Sequence, residues 1–165
     1  MIDGVDQGLV ENVVAALRSR GETVTTAESL TGGLVCAVLT TVPGSSAVVR
    51  GGLIVYATEL KASLAGVDTS VLARLGAVHP EIAEQLARGA RERCGATWGL
   101  GLTGVAGPDP QDGIAPGTVH VGLAGPHGVK VESLQGHDGD RQEIRVAAVG
   151  LALSLLWSGL GHATG

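Results

Sequence analysis

The sequence predicts an α/β fold with three layers, helix-sheet-helix, around a mixed parallel and antiparallel sheet. Two observations support this class. Stretches with helical spacing of apolar residues alternate with short β-branched stretches along most of the chain, which is typical of parallel strands joined by helices. Residues 125–128, Gly-Pro-His-Gly, separate two further apolar stretches, and this hairpin signal makes one pair of strands antiparallel. We expect a single domain over residues 1–165, with its core between about residues 5 and 160.

The first three elements are delimited by local signals. Asp3 is the expected N-cap of a helix whose apolar residues recur at helical spacing, and Gly21 supplies its C-terminal stop. Residues 22–26 are rich in β-branched side chains and predict a short strand. The apolar residues 34–39 contain no helix breaker and predict an interior helix, which ends before Pro43.

The middle of the chain continues the alternation. Residues 51–56 form a near-continuous apolar run, which predicts a strand buried on both faces. A short helix follows, and Asp68 is the expected N-cap of another over residues 69–75. Pro80 fits the first turn of a longer helix.

Three strands and a long helix complete the chain. Residues 97–103 predict a central strand, and a Pro-, Gly- and Asp-rich loop follows over residues 109–116. Residues 118–124 and 129–135 are the expected strands of the hairpin. The last helix is expected over residues 141–157.

The composition excludes several classes of protein. With 44% apolar and 16% charged residues, the chain is expected to fold rather than to remain disordered. The net charge of −5 and the lack of a long basic run argue against nucleic-acid binding. The low charged fraction also predicts a homo-oligomer, in which a partner subunit covers part of the surface.

The cysteines, the uncharged stretches and the histidines indicate the cellular compartment and the metal content. Cys36 and Cys94 are isolated in apolar contexts, so we expect reduced thiols and a cytoplasmic protein. No signal peptide is recognisable, and the uncharged stretches 30–49 and 146–160 are either broken by Gly and Pro or too short to span a membrane. The five histidines are scattered, so neither a metal site nor a cofactor is expected.

Residues 25–33, Thr-Thr-Ala-Glu-Ser-Leu-Thr-Gly-Gly, are the main candidate for chemistry. A strand that turns abruptly into a helix leaves backbone N–H groups unpaired, and Gly32 and Gly33 let a ligand approach them closely. Ser29 at such a turn is a candidate nucleophile beside donors for an oxyanion. The alternative is structural, since Ser29 or Thr31 would also serve as the N-cap of the helix.

The rare lysines and the single tyrosine form a second group of candidates. The chain has two lysines, Lys61 and Lys130, and arginine cannot replace a lysine that must lose its proton. Tyr56 closes the apolar strand and Lys61 follows five residues later, so both could be aimed at the Ser29 turn. Equally, Lys130 shows that an ordinary lysine survives in this chain, and a lone tyrosine often serves only packing.

Arg141 is a third candidate because it opens the last helix. A cation at that position could hold a phosphate together with backbone N–H groups. The alternative is an ion pair with Asp138, Asp140 or Glu143.

Seven short motifs occur in one order along the chain. They are Glu28-Ser29-Leu30-Thr31-Gly32-Gly33, Pro43-Gly44-Ser45-Ser46, Tyr56-x4-Lys61, Gly76-Ala77-Val78, Thr103-Gly104-Val105-Ala106-Gly107-Pro108, Pro116-Gly117-Thr118-Val119 and Gly139-Asp140-Arg141. Together they resemble the C-terminal domain of the CinA family, whose stand-alone form is the nicotinamide mononucleotide deamidase. The resemblance spans the chain from Val5 to about Leu160.

The resemblance implies an amidohydrolase of pyridine nucleotide salvage, which converts nicotinamide mononucleotide to nicotinic acid mononucleotide and ammonia. The family's catalytic serine, tyrosine and lysine correspond to Ser29, Tyr56 and Lys61. Ser29 would attack the carboxamide carbon, Lys61 or Tyr56 would take its proton, and N–H groups of the turn would stabilise the oxyanion. The expected substrate contacts are Thr31, Gly32, Gly33, Ser45, Ser46, Thr103, Gly104 and Arg141. No metal is required by this chemistry.

Two departures from the family pattern concern the site. Relatives often have Asn at the position of Thr58, and the loop 109–115, Asp-Pro-Gln-Asp-Gly-Ile-Ala, lacks their Gly-Gly pair and Lys. We expect this loop to affect the pocket wall or an oligomer contact, while Asp109 and Asp112 themselves are solvated. The alternative function is a non-catalytic nucleotide-binding or regulatory module of the same fold.

Overall fold

The computed structural model describes residues 2–162. The elements are α1 (Gln7–Arg20), β1 (Val24–Glu28), α2 (Leu34–Thr40), β2 (Val49–Ile54), α3 (Thr58–Ser63), α4 (Thr69–Leu75), α5 (Pro80–Cys94), β3 (Trp98–Gly104), β4 (Val119–Gly125), β5 (Gly128–Leu134) and α6 (Arg141–Gly159), with a short 3-10 turn at Ser45–Ala47. Helices alternate with strands as far as β3, after which β4 and β5 form the expected hairpin.

The five strands form one open sheet in the order β2-β1-β3-β4-β5. β1 runs parallel to β2 and to β3, whereas β4 is antiparallel to both β3 and β5. Gly125 pairs with Gly128, so Pro126 and His127 form a two-residue turn between β4 and β5. The mixed sheet that the sequence predicts is confirmed. Its parallel part is joined by helices and its antiparallel part by the hairpin.

Helices cover both faces of the sheet. On one face, α1, α2 and α6 pack against strand side chains such as Val24 in β1 and Leu100 in β3. On the other face, α3, α4 and α5 surround a second core cluster that includes Ala27, Ile82 and Leu86. Successive strand residues point to opposite faces, so one strand can contribute to both cores. The three-layer arrangement is therefore confirmed.

Glycines allow α5 to lie close to the centre of the sheet. A Cβ atom placed on Gly101 in β3 or on Gly122 in β4 would lie 2.4 Å from the carbonyl oxygen of Ala83 in α5. That distance is far below a van der Waals contact, so only glycine fits at either position. α5 consequently packs across β1, β3 and β4.

Three local features differ from the expectations. The N-cap of α1 is Asp6 rather than Asp3, because the Asp6 carboxylate accepts a hydrogen bond from the Leu9 N–H at 3.1 Å. β1 extends to Glu28, since it is paired on both sides along its whole length. β2 is an edge strand, so its residues are alternately half-buried and exposed, and Ile54 at its end is 53% exposed.

The two long uncharged stretches of the sequence belong to packed elements. Residues 30–49 contain α2, and residues 146–160 form most of α6. Both helices bury apolar side chains against the sheet. Within residues 2–162, no helix has the length and apolar character needed to cross a membrane.

Candidate active site

A cavity of about 290 Å³ lies at the carboxyl ends of β1 and β3, where ligands bind in many open α/β sheets. Five residues that the sequence analysis assigned to a site line this cavity. They are Ser29, Tyr56, Thr103, Gly104 and Arg141. The rest of the lining comes from Leu30, Ala77, Val78 and the segments 105–107 and 109–111.

The Glu28 side chain organises the turn that carries Ser29. Its fully buried carboxylate accepts hydrogen bonds at 2.9–3.2 Å from the Thr26 hydroxyl and from the N–H groups of Gly33, Val35 and Cys36. These N–H groups at the start of α2 are the ones expected to face an oxyanion. For these three groups the expectation is wrong, because they already donate to the Glu28 carboxylate. The N-cap of α2 is Gly33, so neither Ser29 nor Thr31 caps this helix.

Ser29 is held by its backbone and leaves its hydroxyl available. Its N–H donates to the carbonyl oxygen of Leu102 at 3.1 Å, and its own carbonyl oxygen accepts from the Gly32 N–H at 3.0 Å. Only 9% of the residue is exposed. Among residues 2–162, Ser29 Oγ has no hydrogen-bond partner, although the residue lines the cavity. A ligand in the cavity therefore meets an unengaged hydroxyl.

Lys61 in α3 is only 1% exposed and forms no ion pair with any residue between 2 and 162. Its Nζ donates to the carbonyl oxygen of Val55 at 2.9 Å and to that of Tyr56 at 3.4 Å. Burial lowers the pKa of Lys61 from its usual 10.5 to about 8, and the Glu59 carboxylate opposes this only in part. The amine can therefore lose its proton slightly above neutral pH.

Val55 connects Lys61 to the backbone next to Ser29. The Val55 N–H donates to the carbonyl oxygen of Glu28 at 2.9 Å, while the Val55 carbonyl oxygen accepts from Lys61 Nζ. Lys61 is not part of the cavity lining, and Nζ has no direct hydrogen bond to Ser29 Oγ or to the Tyr56 hydroxyl. The amine thus lies behind the cavity wall, against the backbone of Tyr56.

Arg141, the first residue of α6, contacts the cavity from the opposite side. Its Nη2 donates to the Tyr56 hydroxyl at 2.8 Å and its Nη1 to the carbonyl oxygen of Gly107 at 2.6 Å. The expected alternative, an ion pair with a neighbouring acid, is absent from the described residues. Asp140 and Glu143 instead form a capping box at the start of α6. Within residues 2–162, no carboxylate lies at ion-pair distance from the Arg141 guanidinium, although Asp109 lines the same cavity.

The other expected substrate contacts lie outside the lining of this cavity. They are Thr31, Gly32, Gly33, Ser45 and Ser46. Thr31 is fully buried, and its hydroxyl lacks a hydrogen-bond partner within the described residues. Thr103 does line the cavity, but its hydroxyl donates to the carbonyl oxygen of Ala77 at 2.6 Å.

The loop 109–115, which the sequence analysis expected to affect the pocket wall or an oligomer contact, contributes to the cavity lining, although none of its residues was assigned to the site individually. Asp109 and Gln111 are exposed, as expected for the loop, yet both line the cavity. Two signals pointed to Asp109, namely its position directly after a recognised motif and the expected role of the loop 109–115 in the pocket wall. Among residues 2–162, no group of three or more His, Cys, Asp or Glu side chains is placed to hold a metal ion.

Comparison with known proteins shows which family the chain belongs to. The CinA C-terminal domain profile matches residues 6–160. A CinA-like protein of Frankia casuarinae is 50% identical over 153 residues, which cover 93% of this chain and 35% of that protein. A CinA-like protein of Anaeromyxobacter sp. (strain Fw109-5) is 51% identical over 146 residues, which cover 87% of this chain and 35% of that protein. The chain therefore spans about a third of the length of these curated relatives.

Solved structures agree with the sequence relatives. The competence/damage inducible protein CihA from Agrobacterium tumefaciens is 37% identical, with a TM-score of 0.89 over 94% of this chain and 95% of that chain. A CinA superfamily protein from Klebsiella pneumoniae is 28% identical, with a TM-score of 0.90 over 95% of this chain and 98% of that chain. On the family profile, the sequence identities and the shared fold, the chain belongs to the CinA C-terminal domain family.

Proposed function

We propose that the protein is a nicotinamide-nucleotide amidohydrolase, which converts nicotinamide mononucleotide and water to nicotinic acid mononucleotide and ammonia in pyridine nucleotide salvage. One observation carries this proposal. Ser29 and Arg141 line the same cavity, in front of the buried Lys61 with its lowered pKa, and within residues 2–162 the Ser29 hydroxyl has no hydrogen-bond partner and Arg141 has no ion-pair partner. The membership in the CinA family directs the choice of substrate.

The chemistry begins with Ser29. Its Oγ attacks the carboxamide carbon, and Lys61 or Tyr56 accepts the hydroxyl proton. The proton passes to the departing nitrogen, the C–N bond breaks, and ammonia leaves an ester on Ser29. Water then attacks this ester, the carboxylate product leaves, and Ser29 Oγ regains its proton. The pKa of Lys61, about 8, suits this role, because general bases work best near the operating pH. Lys61 Nζ does not hydrogen-bond Ser29 Oγ in this structure, so as the base it requires a bridging water or a movement of the side chain when the substrate binds.

Donors for the oxyanion come from residues other than those at the start of α2. The N–H groups of Leu30, Ala106 and Gly107 have no acceptor among residues 2–162, and all three residues line the cavity. Preorganised backbone donors of this kind stabilise a developing oxyanion. Arg141 supplies the charge for the substrate phosphate, since a guanidinium binds phosphate with parallel hydrogen bonds.

The test is ammonia release from nicotinamide mononucleotide by the purified chain and by Ser29→Ala. We expect turnover in the parent and a loss of at least about 10³-fold in the variant. The melting temperature should change little, because Ser29 Oγ has no hydrogen bond to lose within the described residues. Ser19→Ala, on the exposed end of α1, is the matched control and should keep full activity.

Two results contradict the proposal in different ways. Tight binding of the nucleotide without ammonia release by the parent indicates the non-catalytic binding module instead. Turnover in Ser29→Ala at a rate close to that of the parent shows that another group attacks the carboxamide.

A further inference from the structure

We propose that Arg145 in α6 is a positioning residue for Ser29, because its guanidinium fixes the turn that carries this serine. The inference rests on the proposed function, in which Ser29 is the nucleophile. It adds a residue that the seven motifs do not contain and that does not line the cavity.

Arg145 binds two consecutive carbonyl groups of the turn. Its Nε donates to the carbonyl oxygen of Leu30 at 3.1 Å, and its Nη2 donates to that of Thr31 at 3.0 Å. Leu30 and Thr31 directly follow Ser29 and are themselves buried. Two parallel hydrogen bonds from one planar group restrain the direction of the turn as well as its distance from α6.

The remaining contacts of Arg145 keep its guanidinium in this orientation. Its Nη1 donates to Gln142 Oε1 at 2.8 Å, within the same helix. Within residues 2–162, no carboxylate lies in ion-pair contact with Arg145. The charge is thus directed at backbone carbonyl groups rather than at a surface acid.

Glu28 and Arg145 hold the same turn by complementary groups. The Glu28 carboxylate accepts from N–H groups at the start of α2, whereas Arg145 donates to carbonyl groups between Ser29 and α2. In the described structure, the two bonds from Arg145 are the only hydrogen bonds between residues 29–33 and α6. Removal of Arg145 leaves the Glu28 side of the turn fixed and releases the side that faces α6.

Arg145 also couples Ser29 to Arg141. The two arginines are four residues apart in α6 and lie on one side of the helix, with Arg141 at the cavity and Arg145 at the Ser29 turn. Arg145 therefore sets the position of the nucleophile relative to the group that binds the phosphate. A displacement of about 1 Å between reacting groups can cost about 10²-fold in rate, so the loss should fall on kcat rather than on KM.

The experiment compares the parent with Arg145→Met, which removes every donor, and Arg145→Lys, which restores a cation with less directional hydrogen bonding. The first readout is the rate at which phenylmethylsulfonyl fluoride sulfonylates Ser29, located by mass spectrometry. The second is kcat and KM for nicotinamide mononucleotide. We expect Arg145→Met to lose at least fivefold in both the labelling rate and kcat, while its KM stays within threefold of the parent. The labelling rate and kcat of Arg145→Lys should lie between those of the parent and those of Arg145→Met.

Arg91→Met is the matched control. Arg91 Nε donates to the carbonyl oxygen of Thr97 at 2.8 Å, at the opposite end of β3 from the cavity. This variant also loses a helix-to-carbonyl hydrogen bond, so its folding stability should fall, but its labelling rate should stay within twofold of the parent.

The outcomes separate the two proposals. If the parent is labelled at Ser29 and releases ammonia, a loss below fivefold in Arg145→Met overturns the positioning role. A parent with neither labelling at Ser29 nor turnover overturns the proposed function, and the positioning role with it. If circular dichroism shows that Arg145→Met is unfolded at the assay temperature, Arg145→Lys decides. A loss of at least threefold in its labelling rate supports the role, and a smaller loss overturns it.

Discussion

Lys61 is buried as deeply as the core leucines, and yet it pairs with backbone carbonyl groups instead of an acid. Desolvation disfavours its charged form and lowers its pKa to about 8. Exposed lysines, with a pKa near 10.4, are almost fully charged at that pH. The consequence is a neutral amine available under mild conditions, next to the strand ends that carry Ser29 and Tyr56.

The first prediction concerns the pH dependence of activity. With Lys61 as the general base, kcat/KM should rise with pH through about 8 and become level above it. Lys61→Arg should lose more than tenfold, because arginine keeps the charge but cannot give a neutral amine. The measurement is a pH–rate profile of ammonia release. Near-parental activity in Lys61→Arg, together with an inactive Tyr56→Phe, would identify Tyr56 as the base.

The second prediction concerns stability and follows from the same pKa. The pKa of Lys61 is about 8 in the folded state and 10.5 when the side chain is solvated, as in the unfolded chain. Between pH 8 and pH 10.5 the unfolded chain therefore binds more protons than the folded one. The free energy of unfolding should therefore rise with pH across this window, and the full cost of the buried charge should be present below pH 8. Urea denaturation of the parent and of Lys61→Met at pH 8 and pH 10 measures this difference. The exposed Lys130→Met is the control. Equal pH slopes in the parent and Lys61→Met would contradict the lowered pKa.

At the scale of elements, the start of α2 depends on one side chain of β1. Glu28 accepts hydrogen bonds from the N–H groups of the N-cap Gly33 and of two residues in the first turn of this helix, which is seven residues long and too short to be stable by itself. The carboxylate thereby ties the strand, the Ser29 turn and the helix into one unit. This explains why a buried acid stands directly before the candidate nucleophile.

The third prediction is that Glu28→Gln destabilises the fold. The amide nitrogen of glutamine cannot accept a hydrogen bond, so at least one buried donor loses its partner. The free energy of unfolding in urea should fall by about 1–3 kcal/mol. Glu84→Gln removes only an exposed i,i+4 contact with Arg88 and should cost about 0.5 kcal/mol or less. Equal stability of the two variants would show that Glu28 does not hold the turn.

The fourth prediction compares two glycines that become alanine. In Gly101→Ala, the new Cβ would lie 2.4 Å from α5 backbone atoms, so we expect a loss of about 1–3 kcal/mol or more in the free energy of unfolding. In Gly150→Ala, no atom of another element within residues 2–162 lies within 4 Å of the new Cβ in the middle of α6, and alanine is the better helix former. This variant should gain about 0.5–1 kcal/mol. Thermal or urea denaturation distinguishes the two, and a tolerated Gly101→Ala would contradict the close packing of α5.

At the scale of the whole molecule, the fifth prediction is a homo-oligomer. The large apolar side chains Ile54, Tyr56 and Leu64 are 43–58% exposed, and the first two lie at the end of the edge strand β2 or just after it. Sedimentation velocity at micromolar concentration should show at least two chains, and Ile54→Lys should shift the equilibrium toward the monomer. Lys130→Glu, on the opposite edge strand β5, is the control. A monomeric parent would contradict the prediction.

Features that depend on neighbouring residues were predictable from the sequence. Helical and strand spacing predicted the alternating elements, the turn at residues 125–128 predicted the hairpin, and Asp68 was recognised as the N-cap of α4. Each of these depends on backbone and side-chain groups within about one helical turn or one tight turn. The motifs likewise indicated Ser29 as a candidate nucleophile and Arg141 as a candidate substrate contact, and in the structure both residues line one cavity.

Features that join distant parts of the chain become visible only in the folded molecule. The apolar run of β2 gave no indication that this strand lies at the edge of the sheet, because position in a sheet depends on the pairing of all five strands. Likewise, no local pattern indicates that Arg145 binds the carbonyl groups of Leu30 and Thr31, more than a hundred residues earlier. The lowered pKa of Lys61 was likewise not predictable from the sequence. It results from desolvation, which depends on every element packed around the amine, and the spacing of residues in the sequence carries no information about that packing.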